Sequence, residues 1–251
     1  MSNILKTILA KKIRNFFSIK PSMFLIDFQK NNFSISDAFV WRTDKDFYTV
    51  FSYSDLLLYF YKKRRSQVEI LFFDRNHKLI KKIKNNLNEL SNKLIINSEL
   101  LNGIQDYGTF YILHNHAENF NSIIRNSCYT GYSYKNQLPS YVHGNLPGAA
   151  MKNNSQNLVF GLGGKSFFFY QKYKVQNYYT HNDVEIFIIN PCSSMIKLII
   201  NNKDKFELRK NNLIKYNLKK SDHLIEIKSN CYLLRPVIFE FSTDFIDVYH
   251  G

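Results

Sequence analysis

The sequence predicts an all-β protein built from two tandem, related antiparallel sandwiches, preceded by an amphipathic helix. Three observations support this. Short β-branched or aromatic runs separated by Asn, Asp, Ser or Gly recur from Phe39 to the end of the chain. Helical periodicity is scarce after residue 20, apart from a short turn around Leu56 to Tyr61. Third, Val68–Asn86 and Val184–Asn202 align without gaps at an offset of 116, with eight of nineteen positions identical. A period that long is the size of a whole sandwich domain and too long for a solenoid repeat, so both segments are expected to form the same strand–turn–strand unit in two superposable sandwiches.

Taken in order, "MSNILKTILAKKIRNFFSIKP" places Ile4, Leu5, Ile8, Leu9, Ile13, Phe16 and Phe17 on one helical face. Lys6, Lys11, Lys12 and Arg14 are its charges, Asn3 can cap its start, and Pro21 follows its end. The lysines interrupt the apolar run too early for a secretory leader, and no stretch is long enough to cross a membrane as a helix. Two readings of this basic helix stand: it docks on protein, its own body or an oligomer interface, or it lies on an anionic membrane surface. The strand candidates are "FVWRT", "FYTVF", "VEILFF", "TFYILH", "SFFFY", "VEIFII", "LIKYNL", "LIEI" and "YLLRPVIF". They divide the chain into a lead-in over 1–28, a first sandwich over 29–118, a Tyr-rich interdomain segment over 119–159 and a second sandwich over 160–251.

The net charge is +14, which favours an anionic partner. The 29 asparagines beside Lys, Ile, Phe and Tyr have the composition of an AT-rich genome, so the lysine count alone argues less. Cys128, Cys192 and Cys231 are odd in number and widely spaced. They support neither a disulfide framework nor a zinc site, and read as reduced thiols of a cytoplasmic protein.

Several motifs invite chemistry. In "FGLGGKS" only Leu162 and Gly163 separate Gly161 from Gly164, where a phosphate loop needs four residues, and a strand candidate follows where a helix is required. "GTFYILHNHAE" sets His114 and His116 two apart on a strand, hence on one face, as the first cupin motif does. With His143 they make a candidate set for a divalent metal, although Glu118 lies too close to His116 for the cupin pattern. The alternative is that both histidines end a strand and bond to nearby loops. "KKRR" (Lys62–Arg65) and "HKLIKKIK" lack the regular aromatic interleaving of a single-strand binding sheet, which argues against nucleic acid.

The segment "YTGYSYKNQLPSYVHGN" is unlike a linker. Tyr129, Tyr132, Tyr134 and Tyr141 offer flat rings with hydroxyls, and His143 and Asn145 add polar groups. Rings of that kind suit a sugar, with its apolar C–H faces and hydroxyl rim. Arg125 or Arg235 could hold an acidic sugar's carboxylate, and Gly131 and Gly144 permit close backbone approach. The competing account packs the tyrosines between the sandwiches. Asp247 and His250, near the chain end, are candidates to face the same cleft as His143, the alternative being a solvent-exposed chain end.

The order "VEIFIIN…MIKLII…FELRKNNLIKYNL…IEIKSNCYLLRPVIF" resembles the small sandwich of sensory-rhodopsin-transducer-type proteins. With "FVWRT", "GYSYKNQLPSYVHGN" and "RPVIFEFSTDFIDVYHG", the whole chain resembles poorly characterised bacterial proteins of surface-polysaccharide gene clusters. That resemblance implies a glycan context and carries over no catalytic residue. The expectation is a sugar- or nucleotide-sugar-binding protein, without cofactor, holding its ligand in a tyrosine-lined interdomain cleft. One alternative is a metal-dependent cupin-type sugar-modifying enzyme. Another is an adaptor that recruits partners to the inner face of the membrane.

Overall fold

The computed structural model describes residues 34–116, 124–125, 128–143, 146–152, 157–160, 164–166, 168, 170–176, 182–192, 194–218, 224–232, 234–243 and 245–250. It also describes Leu9, Lys12, Ile13 and Phe16, each in helical conformation. The remainder of the expected N-terminal helix lies outside the described residues.

The fold is all-β, with four sheets among the described residues. Sheet one runs β11 (Asn157–Phe160), β10 (Leu146–Lys152), β1 (Ser34–Arg42), β6 (Tyr107–Asn115), β3 (Gln67–Asp74), β4 (Leu79–Asn86). The two-residue β7 (Ile124–Arg125) lies parallel to the start of β1. Sheet two runs β5 (Ser91–Ile96), β2 (Phe47–Ser54), β8 (Cys128–Tyr134), β9 (Ser140–His143). Sheet three runs β16 (Leu213–Leu218), β13 (Asp183–Ile189), β18 (Val237–Phe241), β19 (Ile246–His250). Sheet four runs β12 (Gln171–Gln176), β17 (Leu224–Ser229), β14 (Ile196–Ile200), β15 (Asp204–Leu208). The helix α1 (Leu56–Tyr61) starts where the Asp55 carboxylate accepts from Leu58 N–H, and stops at Lys62, whose φ of 57° cannot continue it.

Strand parity explains three cores. Phe39, Trp41, Val68, Ile70, Phe72, Phe110 and Ile112 of sheet one meet Phe51 and Tyr53 of sheet two inside the first sandwich. Val184, Ile186 and Ile188 of sheet three meet Leu198, Ile225 and Ile227 of sheet four inside the second. The opposite faces of sheets one and three then close on each other. Val40, Leu71, Phe73, Tyr111 and Leu113 pack with Phe187, Ile189, Val237, Phe239 and Val248 in a core that both sandwiches share. Strands buried on both faces carry near-continuous apolar runs, which is why "VEILFF" and "VEIFII" do not alternate.

The internal repeat is legible here. Its offset carries Val68, Ile70 and Phe72 onto Val184, Ile186 and Ile188, each set facing its own sandwich core. It carries Leu71 and Phe73 onto Phe187 and Ile189, all in the shared core. The equivalence ends after the first strand. β4 stays hydrogen-bonded to β3 as a hairpin, whereas β14 crosses from sheet three to sheet four. The expected identical strand–turn–strand unit is corrected accordingly: the "NPCSSM" connection spans a sandwich, and "DRNHK" closes a turn.

Two further corrections follow from pairing. The expected interdomain segment supplies strands to the first sandwich: β8 pairs with β2 from Phe47↔Tyr134 to Tyr53↔Cys128, and β10 pairs with β1. The inward positions of β8 are Cys128, Thr130 and Tyr132, not aliphatics, so no apolar run announces that strand. The described residues of "SFFFY", Ser166, Phe168 and Tyr170, lie outside any strand, and Phe168 is exposed. The three cysteines are free and buried, yet Cys192 and Cys231, distant in sequence, bring their Sγ atoms to 3.4 Å.

Candidate functional site

The site begins with two tight turns. Asp44–Phe47 joins β1 to β2, with Lys45 and Asp46 at φ 51° and 65° and Phe47 N–H donating to the Asp44 carbonyl. Tyr134–Gln137 follows β8, with Lys135 and Asn136 at φ 49° and 60° and Gln137 N–H donating to the Tyr134 carbonyl. Left-handed conformation at both central residues is the hairpin geometry that matches strand twist, and Asp or Asn tolerates it best. Because β2 and β8 are neighbours, the turns lie side by side, and Lys135 N–H donates to the Asp46 carbonyl at 3.2 Å.

Lys45 and Lys135 therefore stand together on a ridge between two depressions. One, of about 560 Å³, is walled by Thr43, Tyr48, Asn97, Ser98, Gln105 and Asn136. The other, of about 570 Å³, opens between the sandwiches and is walled by Tyr134 and Gln137 from the first and Asn182, Asn217 and Phe241 from the second. Both include Lys45 and Lys135. Lys135 Nζ lies 4.9 Å from the centre of the Tyr134 ring, and that ring meets Phe241 edge-on.

Beneath the ridge is a cluster of charges. Arg42 is wholly buried and forks onto Asp44, with Nε and Nη2 each 2.9 Å from a carboxylate oxygen. Arg42 Nη2 also approaches Glu185 Oε2 at 2.7 Å, and Phe47 and Phe239 flank the guanidinium at 3.9 and 4.7 Å. Lys45 reaches Glu185 at 2.9 Å, while Lys215 stands 3.6 Å from Asp44. Burial works against the Asp44 charge, but the hydrogen bonds and charge of Arg42, helped by Lys215, hold its carboxyl below the ordinary value. With both carboxylates committed to cations, the cluster fixes the position of the turn above it.

The predicted residues are dispersed. Tyr134 lines the interdomain cleft. Tyr132 does not: it is fully buried, donates to the Val40 carbonyl at 3.0 Å and packs edge-on against Phe239. It belongs to the shared core, where burial pushes its phenol pKa far up. Tyr129 and Tyr141 are exposed on the outer face of sheet two. A Cβ on Gly131 would meet the Tyr141 ring at 2.6 Å, so the glycine makes room for that ring. His143 is exposed, and its carbonyl bonds with His250 Nε2 at 2.8 Å. Arg235 is exposed, and its charge helps burial to lower the His250 pKa. These groups border the β9–β19 seam, where Val248 N–H donates to Ser140 Oγ and Ser140 Oγ donates to Asp247 Oδ1 at 3.3 Å. Arg125 lies in β7 opposite Ile35. Asn145 lies outside the described residues.

The metal set is not assembled. His114 is buried and turns Nε2 to the Ser54 carbonyl at 3.1 Å, whereas His116 turns Nε2 to the Arg64 carbonyl at 3.0 Å. Among the described residues no group of three His, Cys, Asp or Glu could hold a metal ion. Sequence reasoning missed Lys45, Lys135 and Asn182. The paired "DKD" and "YKNQ" turn signals were the available clue to the first two.

No protein-family model matches the chain, and no curated protein matches it. Among solved structures it is similar to an anti-sigma factor domain-containing protein, at 11% identity and a TM-score of 0.23, over 85% of this chain and 80% of that one. It is also similar to a β-glucuronidase of glycoside hydrolase family 2, at 11% identity and TM-score 0.20, over 90% of this chain and 24% of the enzyme. A family 2 glycosyl hydrolase from Bacteroides cellulosilyticus aligns at 8% identity and TM-score 0.20, over 93% of this chain and 30% of that one. Likenesses this slight carry no functional argument. Among the described residues no helix is long and apolar enough to cross a membrane.

Proposed function

We propose that this protein binds an acidic saccharide or a nucleotide sugar without transforming it, in the groove that crosses the Lys45–Lys135 ridge. The observation that carries the reading is the juxtaposition of two lysines with amide side chains and an aromatic wall. Lys135 supplies positive charge beside Lys45, which is shared with Glu185; Asn182, Asn217 and Gln137 supply paired donors and acceptors, and Tyr134 with Phe241 supplies an apolar face. A sugar ring needs all three kinds of contact, and a carboxylate or phosphate on it needs the cations. The role in bacterial surface-polysaccharide biosynthesis rests on the sequence resemblance alone. Compared with the sequence expectation, the ligand moves from the whole tyrosine segment to its turn.

Calorimetric titration with UDP-glucuronate, a glucuronate oligosaccharide and their neutral glucose counterparts tests this. The acidic ligands should bind more tightly than the neutral ones, and Lys135→Ala should remove most of that difference, about 1–3 kcal/mol for a charged contact. Absence of heat with every ligand, or equal binding by Lys135→Ala, rejects the proposal.

A further inference from the structure

One end of the first sandwich gathers features that the groove does not use. His114 N–H donates to Ser34 Oγ at the start of β1, and the His114 ring meets the Ser54 carbonyl at the end of β2. The His116 ring meets the Arg64 carbonyl, and Ser66 Oγ donates to the Asp55 carboxylate. These contacts place the start of β1, the helix α1 and the loop Lys62–Arg65 at a single end. The Lys45–Lys135 ridge sits past the other end of β1, which at nine residues spans roughly 27 Å.

That end presents rings to solvent. Leu56 and Leu57 are buried beside Ile124, so α1 turns its other face outward, where Tyr59 is 56% and Phe60 63% exposed. The two rings pack edge-on at 4.9 Å as one compact wedge. Lys62, Lys63, Arg64 and Arg65 follow immediately. No acid lies between Asp55 and Glu69, and both are buried, Asp55 capping α1 and Glu69 paired with Lys82. β1 begins at this end, and the sequence ahead of it carries Lys6, Lys11, Lys12 and Arg14 along with Leu9, Ile13 and Phe16, the last three exposed in helical conformation.

We infer that the Tyr59–Arg65 surface docks on an anionic lipid bilayer, with the saccharide groove held at the far end of the sandwich. Apolar rings beside a block of cations match the bilayer boundary, where rings sit at headgroup level and lysines and arginines meet lipid phosphates. A nucleic acid shares the phosphates but asks for open ring faces on which bases stack. Tyr59 and Phe60 instead turn edge to face against each other. The inference does not depend on the saccharide reading, because the two surfaces share no residue.

The test is co-sedimentation of the full chain with phosphatidylcholine vesicles and with phosphatidylcholine–phosphatidylglycerol vesicles. The parent should bind only the second kind, less so at high salt. Tyr59→Ser/Phe60→Ser and Lys62→Gln/Lys63→Gln/Arg64→Gln/Arg65→Gln should each weaken binding about tenfold or more, at unchanged melting temperature. Leu138→Ser, which alters a 92% exposed apolar residue near the Lys135 turn, should bind as the parent does. Loss of saccharide binding in these variants is not expected, so the two readings fail separately. The inference is overturned if the parent ignores anionic vesicles, or if the serine pair binds them as well as the parent. It is overturned too if the charge variant instead loses affinity for a labelled oligonucleotide that the parent binds without binding vesicles.

Discussion

Arg42 and Glu185 meet across the seam of the molecule, with Nη2 2.7 Å from Oε2 and side-chain exposures of 0% and 5%. One belongs to β1 of the first sandwich and the other to β13 of the second. A buried pair of this kind contributes little over a well-packed apolar pair, but removing one partner strands the other. Here the stranded groups would be Glu185 and Asp44. Arg42→Met should therefore cost about 3–5 kcal/mol, and Arg42→Met/Glu185→Leu less than the sum of its parts. Lys45→Ala, at a position whose side chain is 58% exposed, should cost at most about 1 kcal/mol. Urea denaturation measures all three.

Tyr132 separates packing from binding. Tyr132→Ala empties a fully buried position between Val40 and Phe239 and should cost about 3–5 kcal/mol. Tyr132→Phe keeps the ring and leaves the Val40 carbonyl short of a donor, at about 1 kcal/mol. Neither the phenylalanine nor the parent should differ in saccharide affinity. A large affinity loss in Tyr132→Phe would return this residue to the ligand site.

Two glycines should respond differently to alanine. A Cβ at Gly108 would overlap the Phe73 carbonyl oxygen and press on the Trp41 ring at 2.8 Å, and neither can retreat because Trp41 Nε1 donates to that same carbonyl. Gly108→Ala should cost about 3 kcal/mol or more. At Gly131 the obstacle is the exposed end of Tyr141, which can swing away. Gly131→Ala should cost about 1 kcal/mol, and comparison of the two melting temperatures checks the order.

Stability should fall in mild acid. His77 stacks on Phe73 at 4.2 Å and faces Asn211 of the second sandwich, and burial with the Lys210 charge pushes its pKa to about 4. Asp74 is the acidic group acting the other way. A depressed histidine favours the neutral ring in the folded state. Its contribution is complete above the unfolded value of 6.5 and is lost as pH falls from there towards 4. Burial and Arg235 lower the pKa of His250 in the same direction. Each group adds at most about 1.4 kcal/mol of slope per pH unit. Urea midpoints measured from pH 7.5 to 4.5 should drop, and His77→Phe should flatten the curve.

Strand identity was legible in the sequence because it is local. "LIKYNL" became β16 residue for residue, the turn around Leu56 to Tyr61 became α1, and the repeat foretold that Val68 and Val184 would face equivalent cores. Strands covered on both faces carry continuous apolar runs. The sequence could not say what covered the second face, since that depends on how sheets one and three approach each other. Tyrosine spacing likewise gave no indication that Tyr132 points inward to Val40 while Tyr129 and Tyr141 point out, a matter of pairing register. Nor do Asp44 and Glu185, or Cys192 and Cys231, reveal their proximity by position in the chain, because each pair is brought together by strands that meet only after folding. The groove is of the same kind. Its lysines come from turns 90 residues apart, Lys45 and Lys135, and only the pairing of β2 with β8 makes them neighbours.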